Sequence, residues 1–207
     1  MTRAFRPDPL PDALLEALVD LASRAPSAGK TQGWHLVVLT GADTAQFWDV
    51  TFPADERDGF AFPHLLDAPV IALPLADPQA YLDRYSEGDK AGTELGGSTD
   101  AWPAPYWTID AAMAVQSLLL GAEDADLGAL FFGVFEREAE VRAALGIPAR
   151  LQLLGALALG YPLEGAQRPA VPLRGLRAGA ARLAPGLTPN WAADLRQSGA
   201  VAAQIAE

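Results

Sequence analysis

The sequence contains no cysteine and only two histidines, His35 and His64. Without cysteine the chain forms no disulfide, has no thiolate nucleophile and offers no sulfur ligand to a metal, which is compatible with a reducing cytoplasm. The two histidines are not spaced as a pair of metal ligands. We therefore predict a cytoplasmic protein whose chemistry uses neither a thiol nor a bound metal.

Basic residues are also scarce, because 15 lysines and arginines stand against 26 acidic residues and the formal net charge is −11. Nucleic acids and anionic membranes select basic surfaces, so neither is an expected partner. Any anionic ligand must instead be held by a local group of basic side chains.

The sequence has no long apolar run. The N-terminal stretch MTRAFRPDPLP lacks the apolar core of a signal peptide. The most apolar segment, 108–122, is too short to span a bilayer and contains Asp110, Gln116 and Ser117. Half of the 207 residues are hydrophobic, so we expect one globular domain with a core of ordinary size.

A Gly-Lys-Thr triplet within RAPSAGKTQGW, residues 24–34, matches the end of the phosphate-binding loop of NTPases. That motif requires a glycine five positions earlier, where this chain has Arg24. Apolar residues at helical spacing predict a helix over 11–25, and the run WHLVVLT predicts a strand over 34–40. A phosphate-binding loop follows a strand and opens a helix, whereas this loop lies between a helix and a strand. The sequence therefore indicates no NTPase site.

Two segments in the middle of the chain differ sharply in composition. The run 68–76 is apolar and predicts a buried strand, in which Pro74 requires an edge or terminal position because proline lacks a ladder donor. Residues 83–106 combine glycine, charge, proline and aromatics, which is typical of a surface loop or an active-site lid. A disordered insertion is the alternative for that segment.

The second half of the chain continues the mixed pattern of helices and strands. A helix over 108–124 is apolar around most of its circumference, which favours a central position or burial in a dimer interface. Strands are predicted over 128–135 and, as one continuous apolar run, over 151–160. A short helix is predicted between these two strands, over 136–145, before Gly146 and Pro148.

After Gly160 the composition shifts to proline, arginine and alanine. Such a tail has too few large apolar residues to fold by itself. It either stays mobile or wraps around another surface, for which a neighbouring subunit is the natural candidate.

Four stretches, taken in order, resemble the nitroreductase family of flavin-dependent oxidoreductases. They are RAF (3–5), APSAGKTQGWHLVVL (25–39), VQSLLLGAEDADLGALFFGVF (115–135) and LGALALGYP (154–162). The resemblance covers roughly residues 3–162. It implies an α+β (mixed α/β) fold with a central, mainly antiparallel sheet of four to five strands flanked by helices, in an intertwined homodimer. It also implies an FMN-binding domain over 1–165 and a C-terminal extension over 166–207 that wraps the partner subunit.

The resemblance gives the 25–34 loop the role of cradling FMN. The loop residues carried over are Ser27, Ala28, Gly29, Lys30 and Gln32. Small side chains suit this role physically, because they let backbone amides approach an anion or the flavin edge. Lys30 replaces the usual asparagine, and Gly33 replaces the proline that precedes the tryptophan. Lys30 either adds positive charge beside the phosphate or the reduced flavin, or points to solvent.

The resemblance implies further cofactor residues outside this loop. Arg3 matches a basic N-terminal position and would bind the phosphate, with Arg174 and Arg177 as further candidates that could equally be solvated. His64 either lines the flavin site or lies on the surface. Phe132 and Gly133 match the segment whose backbone approaches the reactive nitrogen of the flavin ring, although one of Phe131 and Phe132 at least is expected to be core.

The activity implied is reduction of a flat acceptor, such as a nitroaromatic or a quinone, with NADH or NADPH as cosubstrate and ping-pong kinetics. No catalytic acid or base is predicted, because the cofactor carries the chemistry. Trp102, Tyr106 and Trp107 either stack on the acceptor or pack at a dimer contact. Two alternatives stay open: the same fold with another flavin chemistry (dehydrogenation, dehalogenation or flavin destruction), or a non-catalytic dimer that binds a ligand or serves as a scaffold.

Overall fold

The computed structural model describes residues 1–165 of the chain. The predictions for the tail, which include Arg174, Arg177 and the extension over 166–207, lie outside the described residues.

The described part is a mixed fold of helices and antiparallel strands. Its helices are α1 (Asp12–Ser23), α2 (Thr44–Thr51), α3 (Pro78–Tyr85), α4 (Tyr106–Asp124) and α5 (Glu138–Ala144). Its strands are β1 (Trp34–Thr40), β2 (Val70–Ala76), β3 (Gly128–Phe132), β4 (Gln152–Leu153) and β5 (Ala156–Gly160). Between residues 1 and 165, none of the helices is long and apolar enough to cross a bilayer.

The five strands form one sheet in the order β1-β2-β5-β3, and β4 pairs with β2 next to β5. Every pairing is antiparallel, which confirms the predicted fold class. Within 1–165, β1 and β3 are the outer strands, so β2 and β5 lie in the interior of the sheet. All residues of these two inner strands are buried, as expected for strands covered on both faces.

Helices cover both faces of the sheet, and the side chains of β2 alternate between them. Val70 packs in a cluster with residues of α1 and α4. Ile71, its neighbour, packs in a cluster on the other face with residues of α2 and α5. Because α4 contacts both α1 and the sheet, most of one side of it is buried, including Ala114 and Leu118. Helix α4 is therefore buried along one side, whereas Ile109 and Leu120 on its other side are exposed.

The prediction of one continuous strand over 151–160 is wrong. The segment forms two strands, β4 and β5, separated by Leu154 and Gly155. Gly155 has a φ of +146°, and a Cβ there would lie 2.6 Å from the Phe132 carbonyl oxygen. Only a glycine fits this close approach to the backbone of β3, and the left-handed φ interrupts the strand. An apolar run does not reveal such a break.

Pro74 lies inside the central strand β2 and not at an edge or an end, so that prediction is also wrong. Along the same side of β2, the pairing with β5 ends at Ala72 and the pairing with β4 begins at Leu75. The Pro74 carbonyl accepts a hydrogen bond from the Leu154 N–H at 3.0 Å. N–H and C=O of one strand residue point to the same side. The donor that proline lacks is therefore missing at the break between β4 and β5, where no ladder bond is required.

The sequence did not predict α3, whose last three residues overlap the start of the predicted loop over 83–106. Asp77 precedes Pro78, and its side chain accepts a hydrogen bond from the Gln79 N–H at 3.1 Å. An acidic cap followed by proline in the first turn is a helix start signal. Residues 86–105 contain only short 3-10 turns, so the predicted loop begins after α3.

Candidate functional site

The loop 27–32 is wound into a tight left-handed turn between α1 and β1. Gly29, Lys30 and Gln32 have φ values of 62°, 59° and 50°. The Ser27 hydroxyl oxygen accepts a hydrogen bond from the Gln32 N–H at 2.9 Å, and the Gln32 side-chain amide donates to the Ser23 carbonyl at 2.9 Å. Left-handed conformations are costly for residues other than glycine and persist only where the surroundings impose them.

A buried carboxylate of α4 lies behind this loop. Asp110 is only 4% exposed, and its Oδ2 accepts hydrogen bonds from the Ala28 N–H and from the Tyr81 hydroxyl, each at 2.7 Å. Burial and then this hydrogen bond raise the pKa of Tyr81 well above its usual value. The sequence analysis did not assign a role to Asp110 or Tyr81. The available signal was a single carboxylate in the middle of the most apolar helix.

Arg84 of α3 connects the loop to the segment 86–105. Its Nε donates to the Gly29 carbonyl at 3.0 Å. Its two terminal nitrogens donate to the two carboxylate oxygens of Asp89 at 2.7 and 2.8 Å. This bidentate pair lowers the pKa of the Asp89 carboxyl. Arg84 is a further site residue that the sequence analysis missed.

Five aromatic side chains cluster where the segment 86–105 meets α3 and α4. The cluster consists of Tyr81, Tyr85, Trp102, Tyr106 and Trp107. Trp102 is buried, and its indole N–H donates to the Leu95 carbonyl at 2.9 Å. Trp102 therefore packs the segment against the helices, whereas Tyr106 is exposed.

Arg3 and His64 lie together at the opposite end of the sheet from the loop. The Phe5 N–H donates to the His64 carbonyl at 2.9 Å, and the Arg3 guanidinium lies 5.3 Å from the centre of the Phe62 ring. The His64 ring pairs with Asp67 at 2.8 Å. The preceding residue, Thr2, donates its backbone N–H to the Ala129 carbonyl of β3 at 2.9 Å. The N-terminal segment therefore contacts the outer edge of β3.

Phe132 and Gly133 lie at the far end of β3, at the same end of the sheet as the loop. The Phe132 ring stacks parallel to the Trp48 ring, with the centres 6.0 Å apart. Both rings line a cleft of about 280 Å³ between α2 and the end of β3. The Phe135 ring, which is 95% exposed, covers the position that a Cβ on Gly133 would occupy.

The structure places the predicted cofactor residues within 1–165 in three groups. The five loop residues form the first, Arg3 with His64 the second, and Phe132 with Gly133 the third. The loop adjoins β1 and Gly133 adjoins β3, and β2 and β5 lie between these outer strands. Strands in a sheet are about 4.8 Å apart, so roughly 14 Å separates the two outer strands. Within the part of the chain that the structure describes, the three groups therefore do not share one pocket.

Comparison with known proteins gives a consistent set of similarities. A family described as the Nitroreductase family matches residues 1–161. The chain is 30% identical over 177 residues to a protein named NADH dehydrogenase from Thermus thermophilus. This match covers 78% of this chain and 82% of that relative.

Solved structures of low sequence identity show the same fold. A nitroreductase-like protein from Streptococcus mutans has a TM-score of 0.65 at 19% identity, with 82% of this chain and 87% of that chain covered. An FMN-dependent nitroreductase from Clostridium difficile has a TM-score of 0.55 at 19% identity, with 79% and 83% covered.

Proposed function

The chain belongs to the nitroreductase family, and we propose that it is an oxidoreductase that holds FMN and uses NADH or NADPH to reduce a flat acceptor, such as a nitroaromatic or a quinone. When bound, FMN supplies the chemistry that accepts a hydride from the nicotinamide and passes electrons to the acceptor. Both substrates would use one pocket in turn, which is a ping-pong mechanism. The names of two relatives, an NADH dehydrogenase and an FMN-dependent nitroreductase, support this proposal.

The observation that carries the proposal is the geometry of loop 27–32. Its turn contains Ala28, which has a short side chain, and Gly29, which has none, and hydrogen bonds with Asp110 and Arg84 hold its conformation. Such a preorganised turn fits a cofactor cradle, because backbone groups that are already in place lose little entropy on binding. Lys30 is exposed at the tip of this turn, and we propose that it adds positive charge beside the cofactor.

The outer edge of β3 fits the remaining parts of an FMN molecule. Arg3 lies near Ala129 at one end of the strand, and Gly133 follows its other end. At about 3.3 Å per residue, the four steps between Ala129 and Gly133 span roughly 13 Å, a length that extended FMN can cover. We therefore propose that Arg3 binds the phosphate, and that Gly133 lets the ring approach the backbone because it has no side chain. The backbone of His64 is bonded to Phe5, two residues after Arg3, and its ring pairs with Asp67.

A homodimer would bring the three groups together. On the side of α4 that the sheet does not cover, Ile109 and Leu120 are 40% and 61% exposed, and Leu21 of α1 is 40% exposed. Exposed apolar side chains on two adjacent helices are typical of a subunit interface. We propose that two copies pack through this face, so that the loop of one subunit lies beside the β3 edge of the other. The extension over 166–207 would then wrap the partner subunit.

The first test is the visible absorbance spectrum of the purified protein after incubation with excess FMN and gel filtration. We expect close to one flavin per chain, elution as a dimer, and bleaching of the flavin by NADH or NADPH in the absence of oxygen. Addition of a nitroaromatic or a quinone should then restore the oxidised spectrum. A colourless protein would contradict the proposal and favour the non-catalytic dimer. Bound flavin that NAD(P)H does not reduce would favour another flavin chemistry on the same fold.

A further inference from the structure

Both ends of the loop contact groups that meet at one buried oxygen atom, Oδ2 of Asp110. Ala28, near the start of the loop, donates its backbone N–H to Asp110 Oδ2 across 82 residues of sequence. Tyr81 donates its hydroxyl to the same oxygen. The ring of Tyr81 packs against Gly33, at the end of the loop, where a Cβ would lie 2.7 Å from Tyr81 Cε2. Asp110 therefore holds one end of the loop directly and the other end through Tyr81.

We propose that Asp110 and Tyr81 are positioning residues that hold loop 27–32 in its cofactor-binding conformation. The proposal rests on the proposed function, because it concerns the same cofactor loop. Neither side chain needs to touch a ligand, since Asp110 lies behind the loop and is almost completely buried. The two residues act through the backbone of Ala28 and Gly33.

This arrangement accounts for Gly33, which stands where the resembling family has proline. Proline would stiffen the loop by fixing φ, but its ring would need space beside the backbone that the Tyr81 ring occupies. A Cβ at position 33 would also lie 2.7 Å from Tyr81 Cε2 and 3.0 Å from the Ala80 Cβ. Glycine allows the Tyr81 ring to approach the loop backbone. In this chain, hydrogen bonds from α3 and α4 take over the restraint that proline would provide.

The loop needs this restraint because its conformation is not the one that its residues prefer. Lys30 and Gln32 both have left-handed φ values, which are unfavourable for residues other than glycine. Without the contacts to Asp110 and Tyr81, the loop would populate other conformations when the site is empty. Its apparent affinity for the cofactor would then equal the intrinsic affinity multiplied by the fraction of molecules that remain in the binding-competent form.

The mildest test is Tyr81→Phe, which removes only the hydroxyl. In the full-length protein without cofactor, we expect hydrogen exchange of the 26–34 peptide to rise several-fold, while peptides from β2 and β5 keep their protection. The dissociation constant for FMN should increase about three- to tenfold, as expected for the loss of one hydrogen bond. The circular dichroism of bound flavin in the visible range should change, because this signal reports the surroundings of the ring and not the stability of the fold.

Asp110 is tested by a pair of variants. Asp110→Ala leaves the Ala28 N–H and the Tyr81 hydroxyl without an acceptor. It should therefore weaken FMN binding more than Tyr81→Phe does. Asp110→Asn keeps one acceptor oxygen and should recover part of that loss. Partial recovery indicates a role of the acceptor atom, whereas equal losses in the two variants would contradict the proposed positioning by Asp110.

Asp77→Asn is the matched control. Asp77 is also buried, caps α3 at Gln79 and lies 3.6 Å from both His35 and Arg150. The change should lower the melting temperature without altering exchange of the 26–34 peptide or FMN affinity. Unchanged exchange of that peptide in Tyr81→Phe would overturn the anchoring. Faster exchange with unchanged FMN affinity would overturn its link to the cofactor. Wild-type protein that binds no FMN would instead overturn the proposed function.

Discussion

The Tyr81 ring occupies the space beside Gly33 that a side chain at position 33 would need, since a Cβ there would lie 2.7 Å from Tyr81 Cε2. Tyr81 is 1% exposed and cannot move aside without disturbing the core. The identity of residue 33 and the position of Tyr81 are therefore coupled, and through Tyr81 the coupling reaches Asp110.

Gly33→Ala should destabilise the protein by about 1–3 kcal/mol, the usual cost of an extra methyl group in a packed interior. Urea unfolding measures this change as a lower midpoint at an unchanged slope. Gly88→Ala is the control, because a Cβ at Gly88 has no heavy atom within 4 Å, and its effect should stay within about 0.5 kcal/mol. Equal stability of Gly33→Ala and wild type would show that Tyr81 can shift at low cost.

The protein should lose stability at alkaline pH through Tyr81. The pKa of this hydroxyl is raised by burial and by Asp110 above its unfolded value near 10. Above that pH the unfolded chain releases the proton and the folded protein keeps it, so the free energy of unfolding falls as pH rises, by up to about 1.4 kcal/mol per pH unit. Melting temperatures measured between pH 9 and 11 should decrease less steeply for Tyr81→Phe than for wild type. Parallel curves would rule out this contribution.

Arg3→Ala should weaken FMN binding by about ten- to a hundredfold while leaving riboflavin affinity unchanged. The reason is that riboflavin lacks the phosphate that Arg3 is proposed to bind, and a charge-assisted bond to phosphate contributes about 1.5–3 kcal/mol. Fluorescence titration of both flavins separates the two contributions. Arg24→Ala, which removes an exposed arginine paired with Asp20, is the control. An equal loss of affinity for FMN and for riboflavin would show that Arg3 does not bind the phosphate. Arg174→Ala, in the part of the chain beyond the described residues, can be scored in the same way.

Lys30→Asn should stabilise the protein by about 0.5–1 kcal/mol, because Lys30 has a φ of 59° and asparagine adopts left-handed conformations more readily than lysine does. Chemical denaturation without cofactor is the measurement. The same change at Lys90, which has a φ of −116°, should bring no gain. If the positive charge of Lys30 lies beside the cofactor as proposed, Lys30→Asn should also weaken FMN binding.

Gly133→Leu should fold but fail to retain FMN. The three atoms nearest to a Cβ at position 133 all belong to the Phe135 ring, which is almost fully exposed, so we expect the fold to tolerate the substitution. The same side chain would keep the flavin ring away from the backbone at the end of β3. Far-ultraviolet circular dichroism and the absorbance of retained flavin distinguish folding from loading. A folded variant with full flavin content would show that the flavin ring does not lie against the backbone of Gly133.

The class of fold and most of its elements were predictable because their signals are local. Helical spacing in α1 and α4 and the β-branched run of β1 depend on residues that are neighbours in sequence. The loop between α1 and β1 was located by its Pro, Ser and Gly residues. The cap of α3 was also a local signal, at Asp77 and Pro78, but the polar residues that follow concealed it.

The sequence by itself determined the mixed fold, the family and the position of the loop between α1 and β1, because repeating patterns and motifs record which face of each element is buried. Tertiary structure alone decided the break between β4 and β5, where Gly155 approaches a β3 carbonyl. It also decided the anchoring of the loop, since Ala28, Tyr81 and Asp110 lie on three different elements. Contacts between residues that are distant in sequence depend on how the elements pack, and no local pattern encodes them.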